Sequence, residues 1–165
     1  MRHRDGFTLL ELMIVIAVML VIAAIAIPSL REAQMHANEV SAVASIRAIN
    51  QAEVQYQAAY GGYPAALANL GGAEPCKKSA ETACLLDQSL AAGMKSGYRF
   101  AAVGGDSSGG ENTSYFVGAA PEVFEHTGKR LFCSTDKNVI RADLNAAGST
   151  IPPSGEQCAA FAALK

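Results

Sequence analysis

One carboxylate, Glu11, lies inside the most apolar part of the chain. Residues 12–27 are all apolar, and between Phe7 and position 27 the polar residues are Thr8 and Glu11. An ionised carboxylate in such a segment is unfavourable and is usually paired with an opposite charge. Because no lysine or arginine lies within one helical turn of Glu11, we expect its partner to come from elsewhere.

The four cysteines are the second set of residues that could form a covalent bond or bind a metal. Cys76, Cys84, Cys133 and Cys158 all follow the apolar segment, and an even number of cysteines in an exported region favours disulfides. Three pairings are open, and we favour Cys76 with Cys84 and Cys133 with Cys158 because each closes a local loop. The alternative, a zinc site, lacks the paired short C-x-x-C spacing of zinc ribbons.

Other polar residues give little support for catalysis or metal binding. His36 falls in a predicted helix and His126 in a predicted loop, while Asp106, Glu111, Asp136 and Asp143 lack the ordered spacing of a calcium loop. We therefore predict a protein that is not an enzyme, with no metal site and no cofactor. The net charge of -2 and pI near 5.9 also give no basic surface for nucleic acid.

The apolar segment itself is long enough to cross a membrane. As a helix, residues 7–28 cover about 30 Å, the thickness of a bilayer core. Arg2 and Arg4 precede the segment, so the positive-inside rule places the N-terminus in the cytoplasm and the rest of the chain across the membrane. A secretory signal peptide is usually shorter and ends at a small-x-small cleavage site, whereas a plain membrane anchor remains an alternative.

The residues around Glu11 also carry a family resemblance. The run Gly6-Phe7-Thr8-Leu9-Leu10-Glu11, followed by the apolar helix and by Pro28, resembles the processing signature of type IV pilins and type II secretion pseudopilins. The resemblance implies that a prepilin peptidase cleaves between Gly6 and Phe7 and methylates the new Phe7 amine. Asp5 departs from the pattern, since family leaders more often carry a basic residue before the glycine.

Cleavage would give Glu11 a specific role in assembly. It creates a positive amine on Phe7, four residues before Glu11, with both charges in an apolar layer. Glu11 could stabilise its own helix by placing its negative charge next to the unpaired N–H groups of the first turn. The resemblance implies instead that it pairs with the Phe7 amine of a neighbouring subunit, where a wrong register leaves two buried charges unpaired.

Pro28 and the residues after it predict a long, two-faced helix. Proline removes a backbone donor and predicts a helix kink at Pro28, but helix-forming residues resume at once and continue to about Tyr60, before Gly61 and Gly62. Because successive residues of a helix are rotated by about 100°, the apolar side chains of this segment fall on two faces. The large side chains Val43, Ile46, Ile49, Tyr56 and Tyr60 should pack on a head. The opposite, alanine-rich face, formed by Leu30, Ala33, Ala37, Val40 and Ala44, should allow close helix packing between subunits.

The remaining sequence predicts an α+β protein, with a long N-terminal helix against a small antiparallel sheet, as in the pilin-like fold. Predicted strands cover residues 98–103, 115–120, 130–134 and 139–142, the last two as a hairpin, and the glycine-rich stretch 104–110 is predicted to be a loop. The predicted regions are a leader (1–6), a transmembrane and assembly helix (7–28), its amphipathic continuation (29–60) and the head (61–165).

These features together predict a filament subunit, either of a type IV pilus or of a type II secretion system. The expected partners are further copies of the chain, the prepilin peptidase, an inner-membrane assembly platform and, before assembly, the membrane itself. The competitor from another class is a membrane-anchored exported enzyme or binding protein that uses the helix only as an anchor.

Overall fold

The structure is a computed structural model that describes residues 7–164. The leader, including Gly6, lies outside the described residues. Within them the chain divides after Gln34 into two compact units. One helix, α1, runs through both units from Leu9 to Tyr60, so the predicted helix end at Gly61 and Gly62 is confirmed. Pro28 lies inside α1 and does not end it.

The second unit carries a six-stranded antiparallel sheet in which each strand pairs with the next along the chain. The elements after α1 are a 3-10 helix (Leu67–Leu70), α2 (Gln88–Ala91), β1 (Met94–Lys95), β2 (Tyr98–Ser108), β3 (Glu111–Pro121), β4 (Leu131–Thr135), β5 (Arg141–Asp143), α3 (Gly155–Ala160) and β6 (Ala162–Ala163). The predicted α+β architecture of a long helix and an antiparallel sheet is confirmed.

The core of this unit forms between the second part of α1 and the sheet. The predicted head-facing side chains Val43, Ile46, Ile49 and Tyr56 are buried there, and Tyr60 packs against them. The sheet contributes Phe100, Ala102, Val117, Ala119 and Phe132 to the same cluster. Burial of this apolar face is the main force that fixes α1 to the sheet.

The prediction of a loop over residues 104–110 is wrong. Strand β2 continues through Gly104 and Gly105 to Ser108, and every residue from Gly104 to Ser108 except Asp106 pairs with β3. The chain reverses at Gly109 and Gly110, whose φ angles of +65° and +91° are those of a type I′ turn. This turn matches the twist of paired strands, so a two-residue turn replaces the expected loop.

Two buried polar groups on the second part of α1 are incompletely paired. Asn50 donates from Nδ2 to Ser134 Oγ at 2.9 Å, but its Oδ1 has no hydrogen-bond partner among the described residues. Glu53, one turn later, is 1% exposed, and its Oε2 likewise lacks a described partner. Because burial disfavours the charged form, the pKa of Glu53 rises to about 8.

Candidate assembly site at the N-terminus

Thr8 and Glu11 cap the start of α1 by a reciprocal set of hydrogen bonds. Glu11 Oε2 accepts from the Thr8 N–H at 3.1 Å and from Thr8 Oγ1 at 2.8 Å, and the Glu11 N–H donates to Thr8 Oγ1 at 3.2 Å. This is a capping box, in which Thr8 satisfies an amide of the first turn while the acid reaches back to the cap. It explains why the helix begins at Leu9.

The capping role of Thr8 was missed from the sequence, although a signal for it was present. A threonine followed three residues later by a glutamate, before an apolar run, is the sequence signature of a helix start. The consequence for the site is that one carboxylate oxygen of Glu11 is already used within the chain. No other hydrogen bond to the Glu11 carboxylate is found among residues 7–164.

Among residues 7–164, no salt bridge involves Glu11. Over the described range, salt bridges join Lys95 to Asp87 and Arg130 to Glu39, both far along the chain from Glu11. Phe7, which would carry the amine after cleavage, is 81% exposed.

The surface around this site is apolar and exposed along the whole first part of α1. The apolar window long enough to cross a membrane has none of its residues buried inside the protein. Large side chains on every side of the helix are exposed, including Leu10, Met13, Ile16, Leu20, Ile22 and Ile27. Such a surface requires a bilayer or other apolar helices around it.

Pro28 lies at the end of this apolar stretch. Because proline has no N–H, the carbonyl of Ala24 loses its usual helix partner, and one residue later Ser29 Oγ donates to the Ala26 carbonyl at 3.1 Å. Local loosening of the backbone ladder follows from the missing bond. The kink at Pro28 itself stays a prediction.

The alanine-rich face of α1, which is predicted to contact other subunits, is exposed. Leu30, Ala33, Ala37, Val40 and Ala44 are all exposed, whereas the opposite side of the helix is buried beyond Met35. No described element covers this face. Alanine side chains let helix backbones approach closely, so the face suits contact with another helix.

The cysteines form two disulfides, Cys76 with Cys84 and Cys133 with Cys158, and none of the four is free. These are the two local pairings favoured from the sequence. The first bond ties the segment after the 3-10 helix, and the second joins β4 to α3. Both lie in the second unit.

The structure does not assemble the remaining candidates into a site. Among the described residues no group of three or more His, Cys, Asp or Glu side chains could hold a metal ion, so Asp106, Glu111, Asp136 and Asp143 form no calcium cluster. Residues 112–114, Asn-Thr-Ser, have the spacing of an N-glycosylation acceptor, but Asn112 donates from Nδ2 to the Tyr63 carbonyl at 3.1 Å. This contact uses the nitrogen that a glycan would modify.

The N-terminal residues also match known proteins. Residues 1–27 match the family described as the prokaryotic N-terminal methylation motif. The type IV wide pilus major component PilA4 of Thermus thermophilus is 39% identical over 74 residues, which cover 43% of this chain and 56% of that protein. The chain thus matches little more than half the length of this relative. No solved structure matches the chain.

Proposed function

We propose that this chain is a structural subunit of a type IV pilus or pilus-like filament, because its N-terminal residues match the prokaryotic N-terminal methylation motif and its long apolar helix and antiparallel sheet form a pilin-like α+β architecture. It is a pilin-type subunit and not an enzyme. The observation that carries the proposal is Glu11 in an exposed apolar helix directly after the cleavage motif. The subunit polymerises through α1, with the head on the outside of the filament.

Processing by prepilin peptidase is the first step of this function. Cleavage between Gly6 and Phe7 releases an α-amino group at the head of α1, and methylation of that amine follows. Before assembly, α1 anchors the subunit in the inner membrane with its N-terminus in the cytoplasm. Mass spectrometry of the protein from cells should show a chain that starts at N-methylated Phe7; a start at Met1 contradicts this step.

Glu11 then selects the neighbour during polymerisation. The capping box holds Oε2 toward Thr8, which leaves Oε1 to accept from the Phe7 amine of an adjacent subunit. Within an apolar bundle an unpaired carboxylate and an unpaired amine are both strongly unfavourable. Only the register that brings them together is stable, so the same contact attracts the subunit and positions it.

A single variant separates a polymer subunit from an anchored enzyme or binding protein. Glu11→Val removes the charge from the apolar segment and should leave membrane insertion intact. A polymer subunit with this change reaches the membrane but no longer appears in sheared surface filaments. An anchored protein would keep its function, and that result would remove the filament proposal.

The pilus assignment is favoured over a secretion pseudopilin by the named relative, a pilus major component. Two measurements decide between them. Finding this chain in filaments sheared from the cell surface supports the pilus. Loss of protein secretion in a deletion strain that never bore surface filaments supports the pseudopilin and contradicts the pilus.

A further inference from the structure

Two buried side chains of α1 each leave an oxygen without a hydrogen-bond partner. Asn50 is 5% exposed and Glu53 is 1% exposed. Asn50 Oδ1 and Glu53 Oε2 accept no hydrogen bond from any described residue, which is unfavourable for buried acceptors and rare in folded proteins. Side chains three positions apart on a helix are neighbours. The two unpaired oxygens therefore belong to one buried polar cluster.

Asn50 connects this cluster to the sheet. Its Nδ2 donates to Ser134 Oγ on β4 at 2.9 Å, and the Ser134 hydroxyl donates to the Thr135 carbonyl at 3.5 Å. A hydroxyl group has a single hydrogen to donate. Because that hydrogen is directed at Thr135, Ser134 Oγ is the acceptor and the nitrogen of the Asn50 amide faces β4. The amide oxygen of Asn50 therefore needs a donor other than Ser134.

The titratable groups around Glu53 supply no positive charge. Burial and, to a smaller extent, the charge of Glu53 raise the pKa of Tyr56 on α1, of Tyr63 and of Tyr115 on β3, so these three side chains lie around the acid. The hydroxyl groups of Tyr56 and Tyr115 donate to other acceptors. Over the described range neither salt bridge includes Glu53. An ionised Glu53 would therefore be a buried charge without a cation, which is strongly unfavourable.

A proton on Glu53 would satisfy both unpaired oxygens at once. A protonated carboxyl group has one O–H donor, whereas a carboxylate can only accept. Asn50 Oδ1, one helical turn earlier, is the acceptor that lacks a donor. Burial raises the pKa of Glu53 to about 8, so the protonated form is the major one at neutral pH.

We propose that Glu53 carries a proton that it donates in a hydrogen bond to Asn50 Oδ1, and that this bond completes a proton-dependent clamp between α1 and β4. Hydrogen bonds then run without a break from Glu53 through Asn50 and Ser134 to the Thr135 carbonyl. Loss of the proton would place a carboxylate against the amide oxygen. The Asn50 nitrogen is then drawn to the carboxylate, and its bond to Ser134 is lost, so the clamp opens as the pH rises.

Infrared spectroscopy of the full chain in detergent tests whether the proton is present. A protonated carboxyl group has a carbonyl stretch that is separate from the bands of a carboxylate. At neutral pH the unaltered protein should show this band, and it should disappear as the pH rises through about 8. Glu53→Gln should lack the band, whereas Glu156→Gln, at an exposed acid of α3, should keep it. Identical spectra for the unaltered protein and Glu53→Gln would mean that Glu53 is ionised, and would overturn the proposal.

A double-mutant cycle tests whether the proton bridges to Asn50. Glu53→Gln retains a donor for Asn50 Oδ1, whereas Glu53→Met has a similar length and no donor. Because a buried acceptor without a donor is unfavourable, urea unfolding should give an unfolding constant about ten-fold larger for Glu53→Met than for Glu53→Gln. In an Asn50→Leu background the acceptor is gone, so Glu53→Met should be at least as stable as Glu53→Gln.

An equal difference between the Gln and Met variants in both backgrounds overturns the proposal, because Glu53 then acts independently of Asn50. The frequency of the infrared band gives a second answer that needs no change at Asn50. A carboxyl group whose O–H donates a hydrogen bond absorbs at a lower frequency than one whose O–H is free. A band at the free frequency also overturns the proposal. Both measurements use the unassembled chain, so their outcome leaves the proposed filament function unaffected.

Discussion

Glu39 of α1 and Arg130, the residue before β4, form a 2.8 Å ion pair between Oε2 and Nε. The other carboxylate oxygen of Glu39 accepts the backbone N–H groups of Lys129 at 3.0 Å and of Arg130 at 3.2 Å. Both carboxylate oxygens of Glu39 thus accept hydrogen bonds, as a side chain that is only 7% exposed requires. The two residues are 91 positions apart in the sequence. The Glu39 carboxylate therefore holds the residues directly before β4 against α1.

Removal of the Glu39 carboxylate should destabilise the head substantially. Glu39→Ala leaves two part-buried N–H groups and a guanidinium without their acceptor, and the expected loss is about 3 kcal/mol of unfolding free energy. All five tyrosines lie between positions 56 and 115, so tyrosine fluorescence during urea unfolding in detergent reports on the head. Glu32→Ala, an exposed acid on the same helix, is the control and should change stability little.

The buried Glu53 predicts that the head loses stability as the pH rises. Its pKa is about 8 in the folded chain because of burial, against 4.5 for the free side chain. Between these values the folded chain holds a proton that the unfolded chain has released, so the unfolding free energy falls with increasing pH. The fall begins near pH 4.5 and levels off above pH 8.

A neutral replacement of Glu53 should remove this pH dependence. Glu53→Gln keeps the size of the side chain and cannot ionise, so its unfolding free energy should vary much less between pH 5 and 8. Glu156→Gln, an exposed acid of α3, should retain the slope of the unaltered protein. A steep slope that persists in Glu53→Gln would assign the effect to another group.

Local sequence patterns predicted the parts of the fold that depend on neighbouring residues. The uninterrupted helical pattern and the glycine pair placed the end of α1 at Tyr60, and β-favouring runs located β4 and β5 to within two residues. Strand β2 extends five residues beyond its predicted end, and β3 begins four residues before its predicted start. Strands β1 and β6 have two residues each, too few for a periodic pattern. Their pairing depends on the neighbouring strands, which the sequence does not specify locally.

The errors and omissions have equally physical causes. The low strand propensity of glycine and serine over residues 104–108 predicted a loop, but cross-strand pairing with β3 outweighs it. The hydrogen bonds of Glu39 and the burial of Glu53 both depend on residues far away in the sequence, so no local sequence pattern predicts them. The Thr8–Glu11 capping box is different, because the sequence alone contains its signature.

The two disulfides should contribute unequally to stability. Cys133–Cys158 closes a separation of 25 residues and both cysteines are fully buried, whereas Cys76–Cys84 closes a separation of 8. On the loop-entropy model the contributions are about 3.5 and 2.5 kcal/mol. Paired replacements by serine, one bond at a time, should therefore lower the urea midpoint more for Cys133–Cys158. Equal losses would show that loop length does not control the effect.

The two roles of Glu11, capping its own helix and pairing with a neighbour, can be separated by two substitutions at the capping box. Glu11→Gln retains a capping-box side chain but removes the charge, whereas Thr8→Val removes the hydroxyl cap and leaves the charge. If the charge directs assembly, Glu11→Gln should abolish surface filaments while the N-terminus of α1 stays helical, and Thr8→Val should reduce filaments only partly. Hydrogen exchange of the first-turn amides in detergent measures the cap, and shearing measures assembly. Filaments from Glu11→Gln in normal amount, with loss in Thr8→Val, would make Glu11 a helix cap alone and remove the basis for pairing between subunits.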